Sequence, residues 1–455
     1  MRRLAIALVA LAALGSLAHG LWLGVVTDDG GIALAYGRTL ASGHGLRLTE
    51  WSQKVEAFSD PLWVLWLALG YALHIGGPQF ARISGVICGA LAVLLLGWVT
   101  PAAEGRTLRP RDALAPLLLA CDTTYNFWLG SGLETGAFAL SLTAAMLLLA
   151  RRSRWSWLPA GLLAVLRPEG PLYALLLAPL AHKRLRWLLL AALPALAWLA
   201  LRLAYCHQWL PNSYFAKRTW NYGPYGYLQD WFTDGPWHYA LFVAPLALVT
   251  GRTRRAALIA LGPAAAAVAF IVFSRGDWMG EHRFAAHALP AAALAAGLVP
   301  SALYDLTGDR NRDVGWVSGA LLLALVASHV RKRDGQFPLW FVADQGRWFR
   351  DEARKLGMKR HARVAHFDIG GLALESGAEI IDLAGLADTY VGRVGYKDER
   401  AVKDYIFDKV KPDMLNVHGP VQYLAGDPRM KRDYDKVATG VWGENWVRWE
   451  LMPAP

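Results

Sequence analysis

The sequence predicts a polytopic α-helical membrane protein with a small α/β domain at its C-terminal end. Three observations predict it. Apolar residues make up 55 % of the 455 residues and charged residues only 18 %, against roughly a quarter charged in an ordinary soluble domain. Apolar runs, several of spanning length, recur from Leu4 to about residue 329, and short Arg-rich loops alternate with longer polar ones. From about Arg331 charged residues become frequent and no later apolar run reaches spanning length. Residues 1–330 and 331–455 are therefore expected as a membrane domain and an α/β domain.

The composition also excludes alternatives. A chain this apolar does not remain disordered. Cys88, Cys121 and Cys206 lie in or beside apolar runs, which argues against a disulfide scaffold. No CxxC or Cys/His cluster suggests structural zinc. The formal net charge of +11 comes largely from Arg beside apolar runs, where it sets membrane orientation and does not indicate nucleic acid.

Taken in order, Leu4–Val26 follows Met1, Arg2 and Arg3. At ~1.5 Å per residue it covers a ~30 Å hydrocarbon core, longer than a cleavable signal core, so a retained first helix with a cytoplasmic N-terminus is expected. Further runs lie near 61–77, 79–99, 113–128, 132–150, 155–166, 171–181, 187–206, 236–250, 256–274, 285–304 and 314–329. The basic stretches at 151–154, 182–186 and 251–255 read as cytoplasmic, and residues 27–60, 129–134, 207–235 and 275–284 as external. Arg106, Arg109 and Arg111 fit this rule only if one of the runs before them does not span, and 61–77 is the best candidate, as a short or re-entrant piece. That gives 11 spans and an external C-terminus. Twelve spans would put the C-terminus inside.

The runs 155–166 and 171–181 flank Arg167-Pro168-Glu169-Gly170 and are each too short for a straight span. A charged break at membrane depth needs protein or a wet cavity around it. In the tail, residues 363–370, 379–383 and 414–418 read as strands and 397–411 as helix, enough for a small domain with its own core.

Thr27-Asp28-Asp29-Gly30-Gly31 stands where the first helix leaves the membrane. Adjacent carboxylates at a bilayer edge are costly unless solvated, paired or metal-bound. Crowded like charges raise one pKa, which suits one member to take a proton from an attacking hydroxyl. A solvated helix end is the simpler account of an acid pair considered alone.

Asp28-Asp29, Ile32, Tyr36, Arg38, Leu40, Gly43, Gly45, Val55-Glu56, Phe58 and Pro61-Leu62-Trp63 continue the pattern. So do Ser131–Thr135 (SGLET), Arg167–Gly170 (RPEG), Leu210–Lys217 (LPNSYFAK), Gly276–Met279 with Arg283-Phe284, Asp368–Gly371 and Ile381–Asp388. In this order the motifs resemble those of polytopic GT-C glycosyltransferases, most closely the mycobacterial arabinofuranosyltransferase B group. Tyr36 and Arg38 stand transposed relative to that group, and Ser59-Asp60 replaces its Thr-Ser.

The resemblance implies a GT-C-like fold and a membrane enzyme at the inner (plasma) membrane. It would move a sugar, arabinofuranose by this likeness, from a polyprenyl-phosphate donor to an extracytoplasmic glycan, lipid or glycoprotein. Asp28 or Asp29, with Asp29 favoured, would be the general base, and its neighbour would orient the acceptor or help hold a divalent cation. Arg167, Lys217, Arg283 and Arg38 would bind the donor phosphate, which favours guanidinium and ammonium groups. Glu134, Glu56, Asn212, Asp277 and Trp278 would contact sugar or acceptor. His366, Asp368, Asp388 and His418 in the tail read first as strand-end structure, with binding of acceptor glycan by the tail as the alternative. The motifs assign no cofactor, and a divalent cation at Asp28 and Asp29 stays open.

Structural alternatives stand beside these roles. Arg167 pairs with Glu169, Arg283 with Asp277 or Glu281, and Lys217 snorkels. Glu134 starts a helix, His282 and His287 are surface or packing residues, and the Tyr and Trp residues of 220–237 form an interfacial belt. From other functional classes, a lipid flippase would use the same broken helices, and a non-catalytic assembly subunit would use the same tail.

Overall fold

The computed structural model describes residues 1–218, 222–234, 244–307, 312–328, 330, 338–440 and 443–452. Residues 236–243 of the run expected at 236–250, part of the aromatic stretch 220–237, and the expected domain start at Arg331 lie outside them. The chain folds as two compact units. One comprises Met1–Val25, Ala81–Trp198 and Asn221–Gln336, and the other Val26–Phe80, Leu199–Trp220 and Phe337–Pro455.

Five described helices are long and apolar enough to cross a membrane: Arg2–Leu23, Pro78–Glu104, Arg184–Cys206, Arg254–Ser274 and Leu289–Thr307. Pro61–Ala72, Thr135–Ala150, Gly170–Leu180 and Val317–Ala327 are shorter apolar helices. Pro61–Ala72 has 12 residues, about 18 Å at the usual helical rise, less than a bilayer core.

Within the first unit, Leu289–Thr307 is the most enclosed of the long helices. Its Ala-rich surface, with Ala291, Ala292, Ala293, Ala295 and Ala296 buried, lets neighbours approach closely. Arg184–Cys206 instead exposes Leu185, Leu189, Leu193 and Leu196, the surface a lipid-facing helix presents. The run expected at 113–128 is two helices, Leu114–Cys121 and Thr123–Leu129. Asp122 ends the first and caps the second, its Oδ1 accepting from Tyr125 N at 2.6 Å. The pair flanking the charged break is also two helices, Trp157–Leu166 and Gly170–Leu177, with Arg167 extended between them.

In the second unit the helix Asp28–Ala41 lies against Pro61–Ala72 and the short helix Gly370–Glu375. Tyr36 Oη donates to Val55 O at 2.6 Å and packs edge-on to Phe58, folding the intervening loop back onto the helix. The C-terminal part forms one five-stranded sheet, β1 (Arg363–His366), β2 (Glu379–Asp382), β3 (Met414–Val417), β4 (Tyr434–Gly440) and β5 (Gly443–Arg448). Its order is β2-β1-β3-β5-β4. β1 runs parallel to both β2 and β3, and β5 is antiparallel to β3 and β4.

The first three strands fall where the sequence predicts them. The β4–β5 hairpin was not predicted. β4 is an edge strand whose Asp435 and Lys436 are exposed, so it lacks the apolar alternation of a half-buried strand. Ala365, Ile381, Leu415 and Val417 pack with Val402, Ile406, Phe407 and Leu424 as the core on one face of this sheet.

Candidate functional site

The residues expected to carry chemistry fall into two groups, one in each unit. In the second unit, Thr27 caps the helix Asp28–Ala41, its side chain accepting from Gly30 N at 3.4 Å. Thr27 also bridges to Pro338, and Leu339 N donates to Val26 O at 2.8 Å, which ties the turn to the helix Leu339–Lys355. Asp28 is buried, and both its oxygens are engaged. Gly370 N donates to Oδ2 at 3.0 Å and Gly371 N to Oδ1 at 2.7 Å. No side chain fits at residue 370, because a Cβ there would collide with the Asp28 carbonyl oxygen. Burial, and secondarily the negative charge of Asp368, push the Asp28 carboxyl up to about 8 against the opposing pull of the two amides. At neutral pH Asp28 is thus a clamp for the 370–371 loop and a poor base. Asp29 is only half-buried.

Arg38 braces the same loop, Nη1 donating to Leu374 O and Nη2 to Ala373 O, both at 2.7 Å. The carbonyls it holds close the end of the helix Gly370–Glu375. Glu56 is buried against Arg202, which grips it through Nε and Nη2. Asn212 is fully buried, and its Nδ2 lies 2.8, 2.9 and 3.1 Å from the carbonyl oxygens of Gly385, Leu386 and Asp388. Lys217 ends the helix Asn212–Lys217 and is half-buried.

Further buried carboxylates fasten the loops of this unit. Asp382 accepts from Ala384 N at 2.8 Å and Ala387 N at 2.6 Å, and burial lifts it to about 7. Asp388 caps the helix Thr389–Val394 and accepts from Gln53 Nε2 and Tyr405 Oη; burial raises it as well.

In the first unit Arg167 joins two carboxylates. Its Nη1 donates to Glu134 at 2.7 Å and its Nε to Glu169 at 2.9 Å, and all three residues are buried. His287 Nδ1 lies 3.4 Å from Glu169, and its ring packs edge-on to Phe138, so it is a packing residue as expected. Glu169 Oε2, Tyr173 Oη and His287 Nε2 are buried without a hydrogen-bond partner among the described residues. Arg283 makes a two-point pair with Asp277, at 2.8 and 2.9 Å. The Phe284 ring packs against both the Arg167 and Arg283 guanidinium groups, 5.5 and 5.2 Å from its centroid. Glu281 and His282 sit at φ 56° and 50°, so consecutive non-glycine residues in the left-handed region immediately precede Arg283. Trp128 Nε1, donating to Glu281 O at 2.7 Å, helps hold that turn. Trp278 is exposed.

The pairs Arg167–Glu169 and Arg283–Asp277, weighed as structural alternatives, both form. The fastenings of Asp28 and Glu56 had no local signal in the sequence. Gly370 lies 342 residues beyond Asp28, and Arg202 lies 146 beyond Glu56. Among the described residues no group of three or more His, Cys, Asp or Glu is arranged to hold a metal ion.

A family model described as a domain of unknown function (DUF8728) matches residues 330–450. No curated protein matches the chain in sequence. Among solved structures, the chain is similar to ArnT from Cupriavidus metallidurans bound to undecaprenyl phosphate. The TM-score is 0.58 at 14 % identity, covering 99 % of both chains. It is also similar to the oligosaccharyltransferase of Archaeoglobus fulgidus tethered to an acceptor peptide, with TM-score 0.56, 13 % identity, and 98 % and 74 % coverage. The same archaeal enzyme, AglB, in complex with an inhibitory peptide and dolichol-phosphate matches at TM-score 0.54 and 12 % identity, over 90 % and 69 % of the two chains. The helical architecture, the small C-terminal sheet and agreement over 99 % of both chains with ArnT show that the chain shares the fold of these solved structures.

Proposed function

We propose that the protein is a membrane glycosyltransferase that moves a sugar from a polyprenyl-phosphate donor to an acceptor hydroxyl on the external side of the membrane. The observation that carries this reading is the full-length likeness to ArnT, a structure that holds undecaprenyl phosphate. The motif resemblance to the arabinofuranosyltransferase B group supports arabinofuranose as the sugar and a cell-envelope glycan, lipid or glycoprotein as the acceptor. The arrangement of basic loops supports 11 spans, a cytoplasmic N-terminus in the inner membrane, and an external domain from about residue 331.

Asp29 is the proposed base. The acceptor oxygen attacks the anomeric carbon, the bond from that carbon to the phosphate oxygen breaks, and the acceptor proton passes to the Asp29 carboxylate. Asp28 takes no proton in this step; it fixes the start of the helix that carries Asp29. The motif resemblance assigns Arg167, Arg283 and Lys217 to the donor phosphate, a role guanidinium and ammonium groups suit. Arg38 serves the donor through the loop it braces. Glu134, Asp277, Glu56, Asn212 and Trp278 shape the surroundings of sugar and acceptor.

The test is mass spectrometry of the products made by purified protein from a panel of polyprenyl-phosphate sugars and glycan acceptors. Wild-type protein should yield a product one sugar larger, and Asp29→Asn should lower the rate by at least ~100-fold. Transfer that persists at the wild-type rate in both Asp28→Asn and Asp29→Asn would sink the assignment. Movement of labelled donor across vesicles with no product would favour a flippase.

A further inference from the structure

In the C-terminal sheet, β2 and β3 lie on opposite sides of β1 and run parallel to it. The chain leaves β1 for β2, then returns across the sheet to β3, so the strand order reverses between β1 and β3. In open α/β sheets ligands bind in the crevice outside the carboxyl ends of the strands at such a reversal. Asp368 comes two residues after β1, and His418 directly after β3.

These two side chains meet. His418 Nε2 and Asp368 Oδ2 are 2.7 Å apart. The other ring nitrogen, Nδ1, contacts Asn416 Oδ1, and Asn416 Nδ2 donates to Asn445 Oδ1 at 2.6 Å. A chain of side chains from β5 through β3 thus fixes His418, which in turn fixes Asp368. Asp368 Oδ1 has no partner among the described residues, and the side chain is 19 % exposed.

A second imidazole adjoins this pair. His366 is 1 % exposed. Its Nδ1 accepts from Asp368 N at 2.9 Å, and its Nε2 is buried with no partner among the described residues. Its ring lies 5.2 Å from that of His418. Phe367 and Tyr396, half-buried and edge-to-face at 5.5 Å, supply an aromatic wall beside His418. A fixed carboxylate, an imidazole and an aromatic wall suit the hydroxyls and C–H face of a neutral sugar. The negative charge of Asp368 disfavours a phosphate.

We propose that the crevice at the carboxyl ends of β1 and β3 is a subsite for a neutral glycan acceptor. Asp368 Oδ1 accepts a sugar hydroxyl there, and His418 positions Asp368. The acceptor role rests on the glycosyltransferase reading; sugar binding at this place does not. Gly370, which clamps Asp28, follows Asp368 by two residues, so a glycan seated here lies beside the loop that holds the turn carrying the proposed base.

The test uses the full chain in nanodiscs, with methyl pentofuranosides, methyl hexopyranosides and their short oligomers as probes. Saturation-transfer NMR and calorimetry read binding. Asp368→Asn and His418→Gln should each weaken the best-bound glycan at least tenfold. Both should raise the acceptor KM by a similar factor while kcat stays within threefold. Asp29→Asn should do the reverse, abolishing transfer with affinity unchanged. If His418→Gln lowers the melting temperature by more than a few degrees, the partly exposed Asp368→Asn decides. Glycan affinity unchanged in Asp368→Asn, or no binding by any probe while transfer proceeds, overturns the subsite and leaves the enzyme reading intact. Binding lost in Asp368→Asn in a protein that transfers no sugar overturns the enzyme reading and leaves the subsite.

Discussion

Gly370 is the position where one added carbon should do most damage. Its Cβ would overlap the Asp28 carbonyl oxygen and lie 2.8 Å from Asp28 Oδ1 and 2.9 Å from its carbonyl carbon. Backbone atoms cannot turn aside as a flexible side chain would. Gly370→Ala must therefore push the 370–371 loop off the helix start. Overpacking of this kind costs ~1–3 kcal/mol. Stretching the amide bonds at 2.7 and 3.0 Å forfeits ~0.5–1.5 kcal/mol for each one lost to a neutral carboxyl. The sum is about 3 kcal/mol, or roughly 10 °C in melting temperature for a unit of a couple of hundred residues. A displacement of the helix start near 1 Å would cost ~100-fold in transfer. The assay pairs thermal unfolding in nanodiscs with product formation. Gly15→Ala, on a helix with open space around residue 15, is the control and should match or slightly exceed wild type. If Gly370→Ala melts within 2 °C of wild type and transfers within twofold, the clamp described for Asp28 is wrong.

Three further outcomes are expected. Arg167→Met should destabilise the first unit by ~3–5 kcal/mol, because it leaves Glu134 and Glu169 buried without their cation, and Arg167→Lys should recover only part; thermal unfolding in detergent reads this. Asn212→Ala removes one amide from three carbonyls of the 385–388 turn and should cost ~1–3 kcal/mol, visible as faster hydrogen exchange over 384–392. Stability should also depend on pH. Asp28 and Asp382, at about 8 and about 7 when folded against 3.8 for an unperturbed Asp, bind protons more tightly in the folded state. Their stabilisation is complete below the unfolded value and is lost as pH climbs through 7 to 8. His366, pushed down to about 3 by burial from 6.5, works in the opposite sense, its contribution being lost as pH falls from 6.5 toward 3. The decline is thus unopposed between pH 6.5 and 8, and Asp382→Asn should flatten it in a series of melting curves.

The membrane character, the broken helix pair and the first three strands were legible because each has a local cause: run length, Pro and charge at a break, or β-branched residues before a Gly turn. Arg167–Glu169 and Arg283–Asp277 were legible as pairs because the partners are two and six residues apart. The relation of Asp28 to Gly370 was not, since the sequence marks Asp368–Gly371 only as a recurring motif and nothing local says which buried carboxylate needs two amides. Arg38 shows the same limit. A cation beside an acid pair reads as a phosphate ligand, yet its guanidinium donates to two carbonyls at a helix end that no sequence window contains. The β4–β5 hairpin was missed for a different reason: an exposed charged edge does not alternate.

The second unit is assembled from three separated stretches of the chain, and this sets an order of events during synthesis. When the acidic turn emerges, the glycines that will clasp it have not been made, since Gly370 comes 342 residues later. Chains cut short before that point, or whose tail fails to reach the compartment of the turn, keep their aspartates but leave the helix start unclamped. The fastening of the helix start is therefore completed last, only after the chain has been made through residue 371.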